Sequence, residues 1–157
     1  MQTQQANTSQ VNQMATTILI GAALVAAAEN LAREAHSGQF RRDGVTPYIV
    51  HPEAVASRVT TPEEKATAWL HDVLEDTQKT QQDLLNAGIP QNVVNAVVIM
   101  TKTPGVSYMD YLVNVKNDPI ARVVKIADMN SNLADTPTPK QIAKYAEGLK
   151  FLSVENG

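Results

Sequence analysis

Helix-start signals recur along this chain, and they constrain its fold more than any other feature. Thr61-Pro62-Glu63-Glu64 places a hydroxyl residue at a cap, proline at the first helical position and glutamate three residues on. That is a capping box, in which two orphan backbone N–H groups are satisfied reciprocally. Ser107 and Asp110 repeat the three-residue spacing. Thr80 to Asp83 opens a short helix, and Pro90 opens another whose apolar face carries Val93, Val94, Val97, Val98 and Met100. Asp118-Pro119 starts a helix through about Leu133, and Thr138-Pro139-Lys140-Gln141 starts a last one ending near Val154. No segment alternates apolar and polar residues for long, and no glycine-rich phosphate loop follows a strand pattern. The pattern predicts an all-α single domain of about seven or more helices with short connections.

The remaining boundaries are read the same way. Residues 1–14 are rich in Gln, Asn, Thr and Ser and read as a flexible polar tail, leaving 15–157 as the folded domain. A first helix is expected from about Thr16 to Ala35. Its apolar opening, ATTILIGAALVAAA, is too short to span a bilayer and has no Lys or Arg before it, so it is read as an amphipathic helix rather than a signal segment. Residues 37–50 should form a loop, and Pro52 should be the first position of a short helix to about Val59. The helix begun at the Thr61 box should carry Ala66, Trp69, Leu70, Val73 and Leu74 inward.

Composition narrows the chemistry. The 157 residues contain no cysteine, which excludes disulfides, thiolate metal sites and cysteine nucleophiles. A net charge of −3 supplies no global attraction for nucleic acid or an anionic membrane, so neither is expected as a partner. A cytoplasmic protein acting on a small molecule is expected, with self-association into a homo-oligomer left open. Any histidine-based metal site must draw on His36, His51 and His71, the three the chain has.

Trp69-Leu70-His71-Asp72-Val73-Leu74-Glu75-Asp76 is the densest run of ionisable groups. On one helix, His71 and Glu75 lie a turn apart, as do Asp72 and Asp76. His71 and Asp72 offer a nitrogen and an oxygen to a divalent cation. Glu75 and Asp76 are placed to orient water or move its proton. The plainer reading is a solvated acidic helix end, but carboxylates there oppose the helix dipole and call for a counter-charge. His51 precedes Pro52, which should hold it extended at a helix entrance; alone, it reads as structural or as a ligand. Asp128 follows a largely apolar helical run, so it needs a partner: a metal, or Lys125 or Arg122. Asn132 shares its face one turn on. Arg41 and Arg42 could clamp phosphate or simply face solvent, and Lys102 is equally open. His36 suits the C-terminal end of the first helix electrostatically and reads as structural.

Taken together, AHSGQFRRDG, TPYIVHP, ATAWLHDVLEDT and VVKIADMNSNL resemble the hydrolase domain of the RelA/SpoT alarmone enzymes and the stand-alone small alarmone hydrolases. The resemblance covers roughly residues 22–133. It implies an HD-type helical fold with one divalent metal, most often manganese, with iron or cobalt also suited to the donor set. The implied ligands are His51, His71, Asp72 and Asp128. Glu75 and Asp76 would act on the attacking water, and Arg41, Arg42 and Asn132 would contact the nucleotide. The implied reaction removes the 3′-pyrophosphate of guanosine tetra- or pentaphosphate, giving GDP or GTP. Asn130-Ser131 departs from the hydrophobic residue and histidine more usual in the family. Two other readings stand beside this one: an HD-type phosphohydrolase of a deoxynucleotide, an adenine alarmone or a phosphorylated dinucleotide cofactor, and a non-catalytic nucleotide-binding module.

Overall fold

The computed structural model describes residues 17–154. Nine helices follow one another among them: α1 (Gly21–Ala35), α2 (Val50–Ser57), α3 (Pro62–Leu70), α4 (Val73–Asp76), α5 (Gln81–Asn86), α6 (Gln91–Met100), α7 (Tyr108–Asn117), α8 (Pro119–Leu133) and α9 (Pro139–Ser153). The only pairing of strand type among these residues is one bridge, Phe40 to Pro47, which pins the loop between α1 and α2. The expectation of an all-helical fold holds. The polar tail expected over 1–14 lies outside the described residues.

Where the helix starts carry local signals, the structure follows them. Thr61, Thr80 and Thr138 each make the reciprocal cap, with Glu64, Asp83 and Gln141. Asp118 accepts from the N–H groups of Ile120 and Ala121. At Ser107 the cap is one-sided: its hydroxyl accepts from the Asp110 N–H.

Three boundaries differ from the sequence reading, each through a contact that local pattern does not carry. Among the described residues the first helix begins at Gly21, and residues 17–20, expected within it, are not helical. Gly21 has a left-handed φ of 58°, and the Leu19 N–H bonds instead to the Gly88 carbonyl. That approach is close enough that a Cβ on Gly88 would sit 2.5 Å from the Thr17 carbonyl oxygen, so residue 88 must be glycine. The second difference is that Pro52 is the third residue of α2, and His51 is helical rather than extended. Proline costs little there, because the first N–H groups of a helix have no intrahelical acceptor. The third lies between Leu70 and Val73. The expected single helix breaks into α3 and α4 at His71-Asp72. The Ala68 carbonyl, which a continuing helix would offer to the Asp72 N–H, receives His71 Nδ1 at 2.6 Å.

Helix α3 is the centre of the packing and touches α1, α2, α6 and α8. Its Ala66, Trp69 and Leu70 are buried together with Val73, as expected, while Leu74 is half-buried. Leu24, Ala28 and Ala32 of α1, Val55 of α2, Val93, Val94 and Val97 of α6, and Val124 of α8 complete the core. Burying one Leu or Val side chain contributes about 1.5–3 kcal/mol. With few aromatic residues, the core rests on many such aliphatic contributions. None of the described helices is long and apolar enough to cross a membrane.

Candidate functional site

The packing around α3 brings together side chains from distant parts of the chain. His51 comes from the first turn of α2, His71 and Asp72 from the break between α3 and α4, and Asp128 from the middle of α8. His51 Nε2 lies 2.8 Å from Asp128 Oδ1 and 4.0 Å from Asp72 Oδ2. His71 Nε2 lies 3.1 Å from Asp72 Oδ2 and 3.4 Å from Asp128 Oδ1. His51, His71 and Asp128 are buried.

The hydrogen bonds around His71 define what this cluster lacks. Its Nδ1 faces the Ala68 carbonyl, which can only accept, so the ring proton sits on Nδ1. Nε2 then presents a lone pair, is buried, and has no hydrogen-bond partner. Its nearest neighbours, the carboxylates of Asp72 and Asp128, are themselves acceptors. A pocket of facing lone pairs requires a cation, either a proton or a metal. Burial alone would depress His71, but the Asp72 charge and the nearby Asp128 carboxylate outweigh it and raise it well above the ordinary imidazole value, favouring a proton where no metal is held. Asp72 is pulled the other way: burial disfavours its charge, and His71 overcomes that and holds it at about 2. Asp128 is well below the ordinary carboxylate value against the same burial penalty, chiefly through Lys125.

Lys125 settles a choice that the sequence leaves open. Its Nζ pairs with Asp128 Oδ2 at 2.9 Å, while Oδ1 faces the histidines and also accepts from Asn132 Nδ2 at 3.3 Å. Asp128 thus has both its ion pair and its place in the cluster. Arg122 bonds instead to the Leu152 carbonyl. Tyr48, from the TPYIVHP loop, donates its hydroxyl to Asp72 Oδ2 and lies 3.3 Å from Asp76 Oδ2. Glu75 and Asp76 are more exposed, and with Asp72 they form a second carboxylate group. Burial and then the Asp72 charge raise both above their ordinary values, which makes each a stronger proton acceptor. His36, also buried, bonds through Nδ1 to Gln39 Oε1 at 2.9 Å and stacks on Tyr48 without reaching the cluster.

Two cavities adjoin the centre. One of about 510 Å³ holds Arg41, Arg42 and Asn132 together with Phe40, Tyr48 and Gln141. Arg41 is tied to Asp135 at 3.1 Å and Arg42 to Gln141 at 3.2 Å, so the loop is anchored to the far end of α8 and to α9. The other, of about 540 Å³, is lined by His71, Asp72 and Glu75 together with Lys102, Lys125 and Lys144. Sequence reasoning did not single out Tyr48 or Lys144. Neither lies in a periodic or paired pattern, and only tertiary packing brings them here.

An all-helical domain with a His-Asp pair at a helix break, completed by a histidine and an aspartate from two other helices, is of the HD class. No family model matches the chain. It is 37% identical over 128 residues to the guanosine-3′,5′-bis(diphosphate) 3′-pyrophosphohydrolase MESH1 of Xenopus tropicalis, which covers 73% of this chain and 70% of that one. It is 50% identical over 58 residues to the guanosine-3′,5′-bis(diphosphate) 3′-pyrophosphohydrolase of Haemophilus influenzae; that match takes in 34% of this chain but 8% of the longer bacterial protein. The fold matches a solved structure described as a metazoan ortholog of SpoT that hydrolyzes ppGpp, with a TM-score of 0.69 and 24% identity over 85% of this chain and 87% of that one. The chain belongs to the family of guanosine-3′,5′-bis(diphosphate) 3′-pyrophosphohydrolases.

Proposed function

We propose that this protein is a metal-dependent 3′-pyrophosphohydrolase of guanosine tetra- and pentaphosphate, acting in the cytoplasm. The observation that carries the reading is the buried cluster of His51, His71, Asp72 and Asp128, whose lone pairs face one another, with Glu75 and Asp76 beside it. Two imidazoles and two carboxylates suit manganese, iron or cobalt, and we assign manganese. Bound there, the cation supplies positive charge that acidifies water and offsets charge on phosphoryl oxygens.

The chain's own groups do the rest. Glu75 or Asp76 aligns the attacking water and accepts its proton, which their raised values favour. The water oxygen bonds to the phosphorus attached to ribose O3′. The P–O3′ bond breaks, O3′ takes a proton, and the diphosphate leaves carrying the water's oxygen. Arg41, Arg42 and Asn132 line the cavity where the nucleotide is held, and the arginines neutralise its charge. Tyr48 bonds Asp72 on the same side and keeps that carboxylate turned toward His71.

The test is a substrate panel. Purified protein with manganese is incubated with guanosine and adenosine 3′-diphosphates and with deoxynucleoside triphosphates. Release of pyrophosphate and GDP from guanosine tetraphosphate is the expected result. Turnover of a deoxynucleotide alone would sink the reading.

A further inference from the structure

His36 is 2% exposed and stands outside the cluster, so the chemistry described above leaves it without a task. It closes α1 as the C-cap residue. A turn through Gly38 brings the Gln39 N–H back to the His36 carbonyl at 3.0 Å, and the Tyr48 N–H bonds to the Gln39 carbonyl at 2.9 Å. Main-chain bonds therefore hold His36, Gln39 and Tyr48 as one unit, with the His36 and Tyr48 rings 4.8 Å apart.

The side chains of this unit reach Asp76 at two points. Gln39 Nε2 donates to the Asp76 backbone carbonyl at 3.0 Å, and the Tyr48 hydroxyl lies 3.3 Å from Asp76 Oδ2. Helix α4 is a single turn of four residues, and the last carbonyls of a helix have no partner within it. Gln39 supplies one at the residue whose carboxylate stands beside the cluster. The direction of each bond follows from donor chemistry. The Asp76 carbonyl can only accept, so Gln39 presents its NH₂ there and its Oε1 to His36. Oε1 also only accepts, so His36 carries its proton on Nδ1. That leaves Nε2 as a buried lone pair with no hydrogen-bond partner among the described residues. Such an orphan costs about 1–3 kcal/mol. An apolar side chain would fill the space without that cost, so packing does not account for an imidazole here; the Nδ1 donor does.

We infer that His36 is a positioning residue for Asp76. By donating from Nδ1 it locks the Gln39 amide in the orientation that holds the end of α4, and by stacking it keeps Tyr48 against the Asp76 carboxylate. The inference rests on the proposed role of Asp76 in hydrolysis, but the bond that carries it can be read without turnover.

The test compares substitutions in the full chain with manganese. Asn places an amide N–H where Nδ1 stands, Gln places one where Nε2 stands, and Leu has neither. His36→Asn should retain most of kcat. His36→Gln and His36→Leu should each lower it by up to about 100-fold, the effect of a misplaced catalytic group. KM and manganese affinity should be the same in the three variants. A role in packing alone would favour Gln, which is closer than Asn to histidine in volume. Gln39→Leu, at a half-buried position outside the core, should lower kcat in the same way, and adding it to His36→Leu should cost little more. Nitrogen NMR of the wild type, with zinc replacing paramagnetic manganese, should show the His36 ring protonated at Nδ1, its signal assigned by its loss in His36→Asn. Equal rates in the Asn and Gln variants, an unchanged kcat in Gln39→Leu, or a ring protonated at Nε2 would each overturn the assignment. If guanosine tetraphosphate is not the substrate, the same variants are compared on the nucleotide that is turned over, and the NMR result stands for either.

Discussion

Tyr48 has one hydroxyl proton and two carboxylates within reach. It donates to Asp72 and sits 3.3 Å from Asp76, so it spans a proposed metal ligand and a proposed proton acceptor. Burial and then the Asp72 charge raise it above the ordinary phenol value, so it stays protonated and keeps donating. Its ring is fixed by His36, 4.8 Å away, which in turn bonds to Gln39. Removing the hydroxyl as Tyr48→Phe should leave this packing intact while freeing Asp72 to rotate. Partners of metal-binding carboxylates are worth about 10- to 100-fold in metal affinity or activity. We expect a loss in that range, read by manganese titration alongside steady-state kinetics. Unchanged values in both would remove Tyr48 from the site. At this scale the sequence discloses residue types better than partners. Asp128 announces that it needs a partner because a carboxylate after an apolar run is costly to bury. That it has two, Lys125 on one oxygen and the histidines on the other, follows only from where α2 and the break after α3 lie against α8.

At the scale of elements, what was legible is what is local. The caps at Thr61, Thr80, Asp118 and Thr138 depend on residues within three positions, and the helices begin where those residues say. The start of α1 and the break at His71-Asp72 depend on contacts from elsewhere or on a side chain competing for a carbonyl, and they were not legible. The apolar pattern runs from Ala66 through Val73 with no glycine or proline to mark the break. The break nevertheless matters to the site, since it sets the direction of His71 and Asp72 relative to α8. The Thr61 cap, nine helical residues away at the other end of α3, serves stability alone. Thr61→Ala should therefore cost about 1 kcal/mol. In a domain of this size that lowers the melting temperature by about 2–4 °C. Metal affinity should not change; a parallel loss of metal binding would show that the cap end and the break are coupled.

For the molecule as a whole, the centre is a clasp. Its donors come from α2, the α3–α4 junction and α8, so a cation held there crosslinks helices far apart in the chain, and its binding energy adds to folding. At a hundredfold excess over the dissociation constant the gain is about 2.7 kcal/mol, or about 5–10 °C in melting temperature. The pH dependence has a definite sign. In the metal-free protein the folded His71 value is raised, so its protonation stabilises the fold at low pH, and that contribution is lost as pH rises through the folded value. Asp72 and Asp128 are depressed, so their contribution is lost only toward acid and is constant near neutrality. A metal must displace the His71 proton, so its apparent affinity rises with pH over the same interval in which the metal-free protein weakens. From about pH 6 to about pH 8, the melting temperature with chelator should fall while the value with manganese holds or rises, so the gap between them widens. In His71→Asn, which carries no titrating ring, the chelated protein should lose this slope. A gap that narrows with pH, or a slope that survives in His71→Asn, would mean that the proton and the metal do not share the clasp.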